Sequence, residues 1–152
     1  MDKKREKIKR PRSKRPRKQR KFKYNAPNHL RRKMISARVD DHLRYPDGDY
    51  SKIPLYPRSM PVRKGDKVRV LRGQFRGREG KVTRVSLKKL KIEVEGCVYP
   101  KADGTNVPRP IDPSNVMIIQ LDMSDRMRQK MVERAYETKK ELLEKLRQTE
   151  VS

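Results

Sequence analysis

Leu90, Ile92 and Val94 interleave strictly with Lys91, Glu93 and Glu95. A period of two sends one set to a buried face and the other to solvent, so this stretch predicts a half-buried strand. Val68 and Val70 alternate in the same way with Lys67 and Arg69. Val82 and Val85 follow one step out of phase, which predicts a strand with a bend. Val116, Met117, Ile118 and Ile119 form a continuous apolar run, the pattern of a more deeply buried last strand. Asp103-Gly104 is a hairpin turn signal. Several short strands at close spacing predict a mainly β protein built on a small barrel.

Two stretches follow a helical period instead. In the tail, Met127, Met131, Ala135, Leu142 and Leu146 form an apolar stripe, with Ser124 as the expected N-cap and Asp125 at the positive end of the helix dipole. Between Asn25 and Arg44, Leu30, Met34, Ala37 and Asp41 fall at three-to-four spacing and predict a helix with Pro27 in its first turn. Pro46, Pro54, Pro57 and Pro61 then make the next stretch irregular. Four parts result: a basic tail over 1–24, an extension with a short helix over 25–61, the barrel over 62–121 and a C-terminal helix over 122–152.

Charge changes this picture. Among 152 residues, 43 Lys and Arg stand against 19 Asp and Glu, a formal net charge of +24. A field this positive calls for an acidic partner, and nucleic acid is the usual one. Only 32% of residues are hydrophobic and 41% are charged, so the whole length cannot pack as one core. Residues 1–24 hold 14 basic and 2 acidic side chains, a net of +12, whereas residues 122–152 hold 8 and 7, a net of +1. The two ends are expected to do different jobs. Dense like charge, with Pro11 and Pro16 interrupting any helix, makes the first 24 residues a disordered tail that threads along phosphates. The last segment, nearly neutral but striped, is suited to packing on RNA, on the barrel or on a protein neighbour.

Between the predicted strands lies a loop with Gly73, Gly77 and Gly80, carrying Arg72, Arg76, Arg78 and Lys81. Glycine permits the sharp turn, and the charged side chains between the glycines then project from an exposed tip suited to phosphates. The loop lacks the GK[ST] ending of a P-loop, and strand rather than helix follows it. Asp47, Asp49 and Ser51 imitate the start of a calcium loop, but Lys52 stands where glycine is needed and Arg58 where glutamate is needed. His29 and His42 have no cysteine partners at metal spacing. Asp40-Asp41-His42 lies in charged, irregular surroundings. Cys97, the single cysteine, excludes an internal disulfide framework and reads as a half-buried small hydrophobe. No constellation predicts an enzyme, a cofactor, a metal site or a small-molecule substrate. No apolar run approaches the ~20 residues of a membrane span, and the basic N-terminus lacks the apolar segment of a secretory signal.

Residues 65–96 resemble the KOW motif. Taken together, NAPNHLRRK (25–33), RSMPVRKGDKVRVLRGQFRGREGKV (58–82) and VEGCVYPKADGTNVPRPIDPSNVMI (94–118) resemble the universal large-subunit ribosomal protein family numbered twenty-four, called twenty-six in eukaryotes, with archaeal-like wording in the third segment. The basic residues 1–20 and an apparent insertion around Asp40–Pro57 depart from that pattern. The resemblance implies an SH3-like barrel bound to large-subunit rRNA near its 5′ end, an early role in subunit assembly, and a place near the peptide tunnel exit. The implied partners are that rRNA, neighbouring ribosomal proteins and tunnel-exit targeting factors; the implied location is the cytoplasmic ribosome. A KOW-containing transcription elongation factor is the alternative, although it needs a second α/β domain that residues 1–61 are too polar to make. A DNA-compacting protein is a further rival that the basic tail alone permits.

Arginine grips phosphate bidentately and lysine as a point charge. The expected contacts are Arg72, Gln74, Arg76, Arg78 and Lys81 at the loop, with Arg63 and Lys64 before it. Lys88, Lys89 and Lys91 belong to the second turn, and His29, Arg31, Arg32 and Lys33 to the extension. Phe75 either stacks on a base or contacts the barrel rim.

Overall fold

The alternating apolar positions become a core. Val68, Val70, Ile92, Val94, Val116 and Ile118 are all buried. Each such side chain stabilises the fold by about 1.5–3 kcal/mol relative to leaving it exposed. The computed structural model describes residues 11–49 and 53–150. Helices α1 (Pro16–Asn25) and α2 (Asn28–Met34) lead into strand β1 (Ser36–Val39) and a single helical turn, α3 (Asp41–Arg44). Strands β2 (Ser59–Pro61), β3 (Lys67–Val70), β4 (Glu79–Ser86) and β5 (Lys91–Val94) follow. Then come β6 (Val98–Pro100), β7 (Asn106–Pro108), β8 (Val116–Gln120) and the long helix α4 (Arg126–Glu150).

Six strands form one sheet in the order β2-β1-β8-β3-β4-β5. β1 and β8 run parallel, and the other pairs are antiparallel. The class is mainly β with a C-terminal helix, as expected. The barrel, however, is open: among the described residues no ladder joins β2 to β5. All six strands nonetheless feed one core, from Met60 on β2 to Ile92 on β5. A bridge between Ile92 and Ile111 supports the β5 edge. The β4–β5 register shifts between Val82 and Arg84, which is the bend that the out-of-phase valines predicted. Asp103 and Gly104 turn the separate β6–β7 hairpin, with Gly104 N donating to Lys101 O at 3.0 Å.

The helical readings are corrected in three places. The first helix of the extension ends at Met34, and Ala37 lies in β1 rather than on a helix face. Ala37 and Val39 are buried while Arg38 is exposed, so pairing with β2 and β8 imposes period two there. Pro16, expected to interrupt a helix, starts α1. Proline in a first turn has no needed N–H to lose and brings its φ preset. The tail's residues 1–10 lie outside the described residues. Asp125, not Ser124, caps α4: its carboxylate accepts from Met127 N at 2.8 Å. The face of α4 that packs is centred on Arg128, Met131 and Val132, whereas Met127 is 62% exposed. The side chains of Leu142 and Leu146 lie outside the described residues.

Candidate nucleic-acid interface

The β3–β4 tip is built from its backbone. Gly77 N donates to Val70 O at 2.7 Å, and Val70 N donates to Arg78 O at 2.8 Å, closing the loop. That closure needs φ of +84° at Gly77, which a side chain would strain. Gly80 is glycine for another reason: it sits in β4, and a Cβ there would lie 2.5 Å from Glu95 O. The three loop glycines therefore do not share one role.

Phe75 turns inward and packs on the barrel core, 7% exposed, so of its two expected roles the barrel contact holds and the exposed stacking platform does not. The Arg78 guanidinium lies 5.2 Å from the centre of that ring and donates to Gly96 O at 2.8 Å. Arg78 thus pins the tip. Gln74 accepts from Arg109 at 3.4 Å. Arg72, Arg76 and Lys81 are exposed and make no side-chain bond or ion pair among the described residues. Nearby Arg69 and Lys67 are held by Glu79, at 2.7 and 3.4 Å. The Arg69 hydrogen bond holds the Glu79 carboxyl below its ordinary value.

At the other end of β4, roughly 25 Å away for eight extended residues, Lys88 and Lys89 are exposed on the β4–β5 turn. Arg31 braces this turn. Its Nη1 donates to Leu87 O at 3.3 Å and Lys88 O at 3.0 Å, its Nη2 to Tyr24 O at 2.6 Å and its Nε to Ala26 O at 2.8 Å. These four bonds to backbone carbonyls tie α1 and α2 to the turn. His29, Arg32 and Lys33 stay exposed on α2.

Two further cations are neutralised. Lys91 pairs with Asp112 at 2.9 Å. Burial pushes the Asp112 carboxyl up, but hydrogen bonds from Lys91 and Ser114 outweigh it and hold the group below its ordinary value. Arg63 pairs with Asp125, while neighbouring Lys64 is exposed with no such partner among the described residues. Of the residues expected at the interface, Arg31, Arg63, Gln74, Arg78 and Lys91 are engaged within the protein. His29, Arg32, Lys33, Lys64, Arg72, Arg76, Lys81, Lys88 and Lys89 are presented to solvent. Arg84 is exposed too, and Arg109 is exposed while donating to Gln74; neither was among the expected residues, and the bend in β4, already visible in the valine spacing, is the signal that would have put Arg84 outward.

A buried pair holds this frame. Arg128 donates to both oxygens of Asp66, at 2.6 and 2.8 Å, with both side chains almost wholly out of solvent. Asp66 also accepts from Arg63 N at 2.8 Å and from Asp122 N at 2.9 Å. Sequence reading missed the pair, although Arg128, Met131, Val132 and Ala135 fall on one helical face. Cys97 is fully buried rather than half-buried, and burial pushes its thiol up, the opposite of an activated nucleophile. Among the described residues no group of His, Cys, Asp and Glu is arranged to hold a metal, and no helix is long and apolar enough to cross a membrane.

Comparison with known proteins fits this frame. The chain is 46% identical over 115 residues to the large ribosomal subunit protein uL24 of Korarchaeum cryptofilum (strain OPF8), covering 76% of this chain and 82% of that one. It is 49% identical over 110 residues to the uL24 protein of Methanoculleus marisnigri (strain ATCC 35101 / DSM 1498 / JR1), covering 72% and 84% respectively. A family model described as the eukaryotic ribosomal proteins L26 and their archaeal L24 counterparts matches residues 13–135, from the segment before α1 through the core-packed turns of α4. The elongation-factor and DNA-compacting readings fall away, and the chain belongs to this family of eukaryotic L26 and archaeal L24 ribosomal proteins, which are structural and not enzymes.

Proposed function

We propose that this ribosomal protein is a constituent of the large subunit in the cytoplasm and grips large-subunit rRNA near its 5′ end. It joins the subunit early in assembly and sits near the peptide tunnel exit. Neighbouring ribosomal proteins and tunnel-exit targeting factors are its protein partners. The observation that carries the RNA grip is the division among its cations. Carboxylates and carbonyls engage one set, while Arg72, Arg76, Lys81, Lys88 and Lys89 stand unpaired among the described residues at the two ends of β4. Folded RNA offers closely spaced phosphates at such separations and is recognised largely by shape and backbone.

The test is a filter-binding titration of the full chain on two transcripts, one from the 5′ region of large-subunit rRNA and one of equal length from its 3′ region. The 5′ transcript should bind more tightly, with a steep loss of affinity as salt rises. Equal affinity for both transcripts would refute the 5′ site, and a flat salt dependence would refute the phosphate grip.

A further inference from the structure

Between the first turns of α4, β4 and the β2–β3 connection lies a groove of about 900 Å³. That is within the roughly 300–1,000 Å³ of sites that hold small organic groups. Its charged lining is wholly basic. Arg63 and Arg128 are held by Asp125 and Asp66, which leaves Arg32, Lys64 and Arg84 exposed around it with no ion pair among the described residues. The rest of the lining is largely apolar, including Leu87, the half-buried Met131 and Met127, which is 62% exposed.

A phosphate backbone answers the cations but gains nothing from the apolar floor. A base answers the floor, and its two faces are available only when it is not stacked in a duplex. Methionine sulfur makes favourable contacts with aromatic rings, and guanidinium planes stack on bases. We propose that this groove receives one unpaired nucleotide of the bound RNA, with the base against Met127 and Met131 and its phosphates on Lys64 and Arg84. The proposal rests on the RNA-binding reading and adds a base-contacting site to a surface that otherwise meets only backbone.

The experiment uses the full chain and the 5′ rRNA transcript, with base-specific chemical probing beside the binding titration. Met127 is exposed, so Met127→Glu leaves the fold intact, which an unchanged melt verifies. It places a carboxylate against RNA and should weaken binding by about tenfold or more. An unpaired base protected by the wild-type protein should regain its reactivity. Arg84→Ala should lower the salt slope by about 0.7–0.9. Wild-type affinity and an unchanged protection pattern for Met127→Glu, while Arg72→Ala plus Arg76→Ala still weakens binding, would overturn the groove and leave the RNA grip standing. Loss of a protein contact by Met127→Glu with RNA binding unchanged would assign the groove to a protein instead. Failure of the wild-type chain to bind the transcript at all would overturn both.

Discussion

The β3–β4 tip and the first turns of α4 are both rich in arginine, and they use it in opposite ways. At the tip, Arg72 and Arg76 stand in water with no partner among the described residues. On α4, Arg128 is 2% exposed and forked onto Asp66. One end offers charge outward, and the other consumes it to close the fold. A net charge of +24 says nothing about which arginine is which; the position of each carboxylate does.

The sharpest way to break this comparison is Arg128→Ala. It leaves Asp66 charged and buried, which should lower stability by about 3–5 kcal/mol in a denaturant melt. Replacing both partners, as Asp66→Leu with Arg128→Met, should not restore wild-type stability, because Arg63 N and Asp122 N also lose their acceptor. A double variant as stable as wild type would show that Asp66 organises nothing beyond its pair.

Gly77→Val comes next. A β-branched side chain at φ +84° should cost about 1–3 kcal/mol in the same melt, although nothing lies within 4 Å of the added Cβ. An unshifted melt would mean that the tip tolerates another backbone path.

Arg72→Ala plus Arg76→Ala should do the reverse of Arg128→Ala. Stability should change by less than about 0.5 kcal/mol, since both residues are exposed. The slope of log affinity for the 5′ transcript against log salt should shrink by about 1.4–1.8. An unchanged slope would remove the tip from the phosphate grip.

The smallest effect is acid-linked. Arg69 holds the Glu79 carboxyl below its ordinary value near 4.5. Its contribution is therefore present above that value and is lost as pH falls through the lower folded value. Glu79 is solvent-exposed, so the loss is slight. Between about pH 5 and pH 3 the wild-type melting temperature should fall somewhat more steeply than that of Glu79→Gln, and parallel curves would contradict the assignment.

How much of this was legible in the chain depends on the range of each interaction. β3 and β5 could be read because alternation is local, and β8 because its apolar run is continuous, although only Val116 and Ile118 of that run are fully buried. The bend in β4 could be read because Val82 and Val85 are out of step. β1 could not: four residues carry its period, and Leu30, Met34 and Ala37 overlay a helical spacing that only pairing with β2 and β8 overrides. α1 was hidden because proline opens helices as well as breaking them. The tip was legible from its glycines. Which of the expected cations stay free was not, since Asp112 and Asp125 lie 21 and 62 residues from Lys91 and Arg63, the groups they hold. Asp66 and Arg128 meet across 62 residues, and neither residue type suggests burial.

The Arg31 brace gives the molecule a ruler. By fastening Tyr24, Ala26, Leu87 and Lys88 to one guanidinium, it fixes the spacing between the cations of α2 and those of the β4–β5 turn before any RNA arrives. Independent basic arms would have to be ordered one by one at the moment of contact, each at an entropic cost. On the proposed RNA grip, a pre-set span disfavours strands whose phosphates fall at other intervals, so a guanidinium held by backbone carbonyls helps decide which RNA fits.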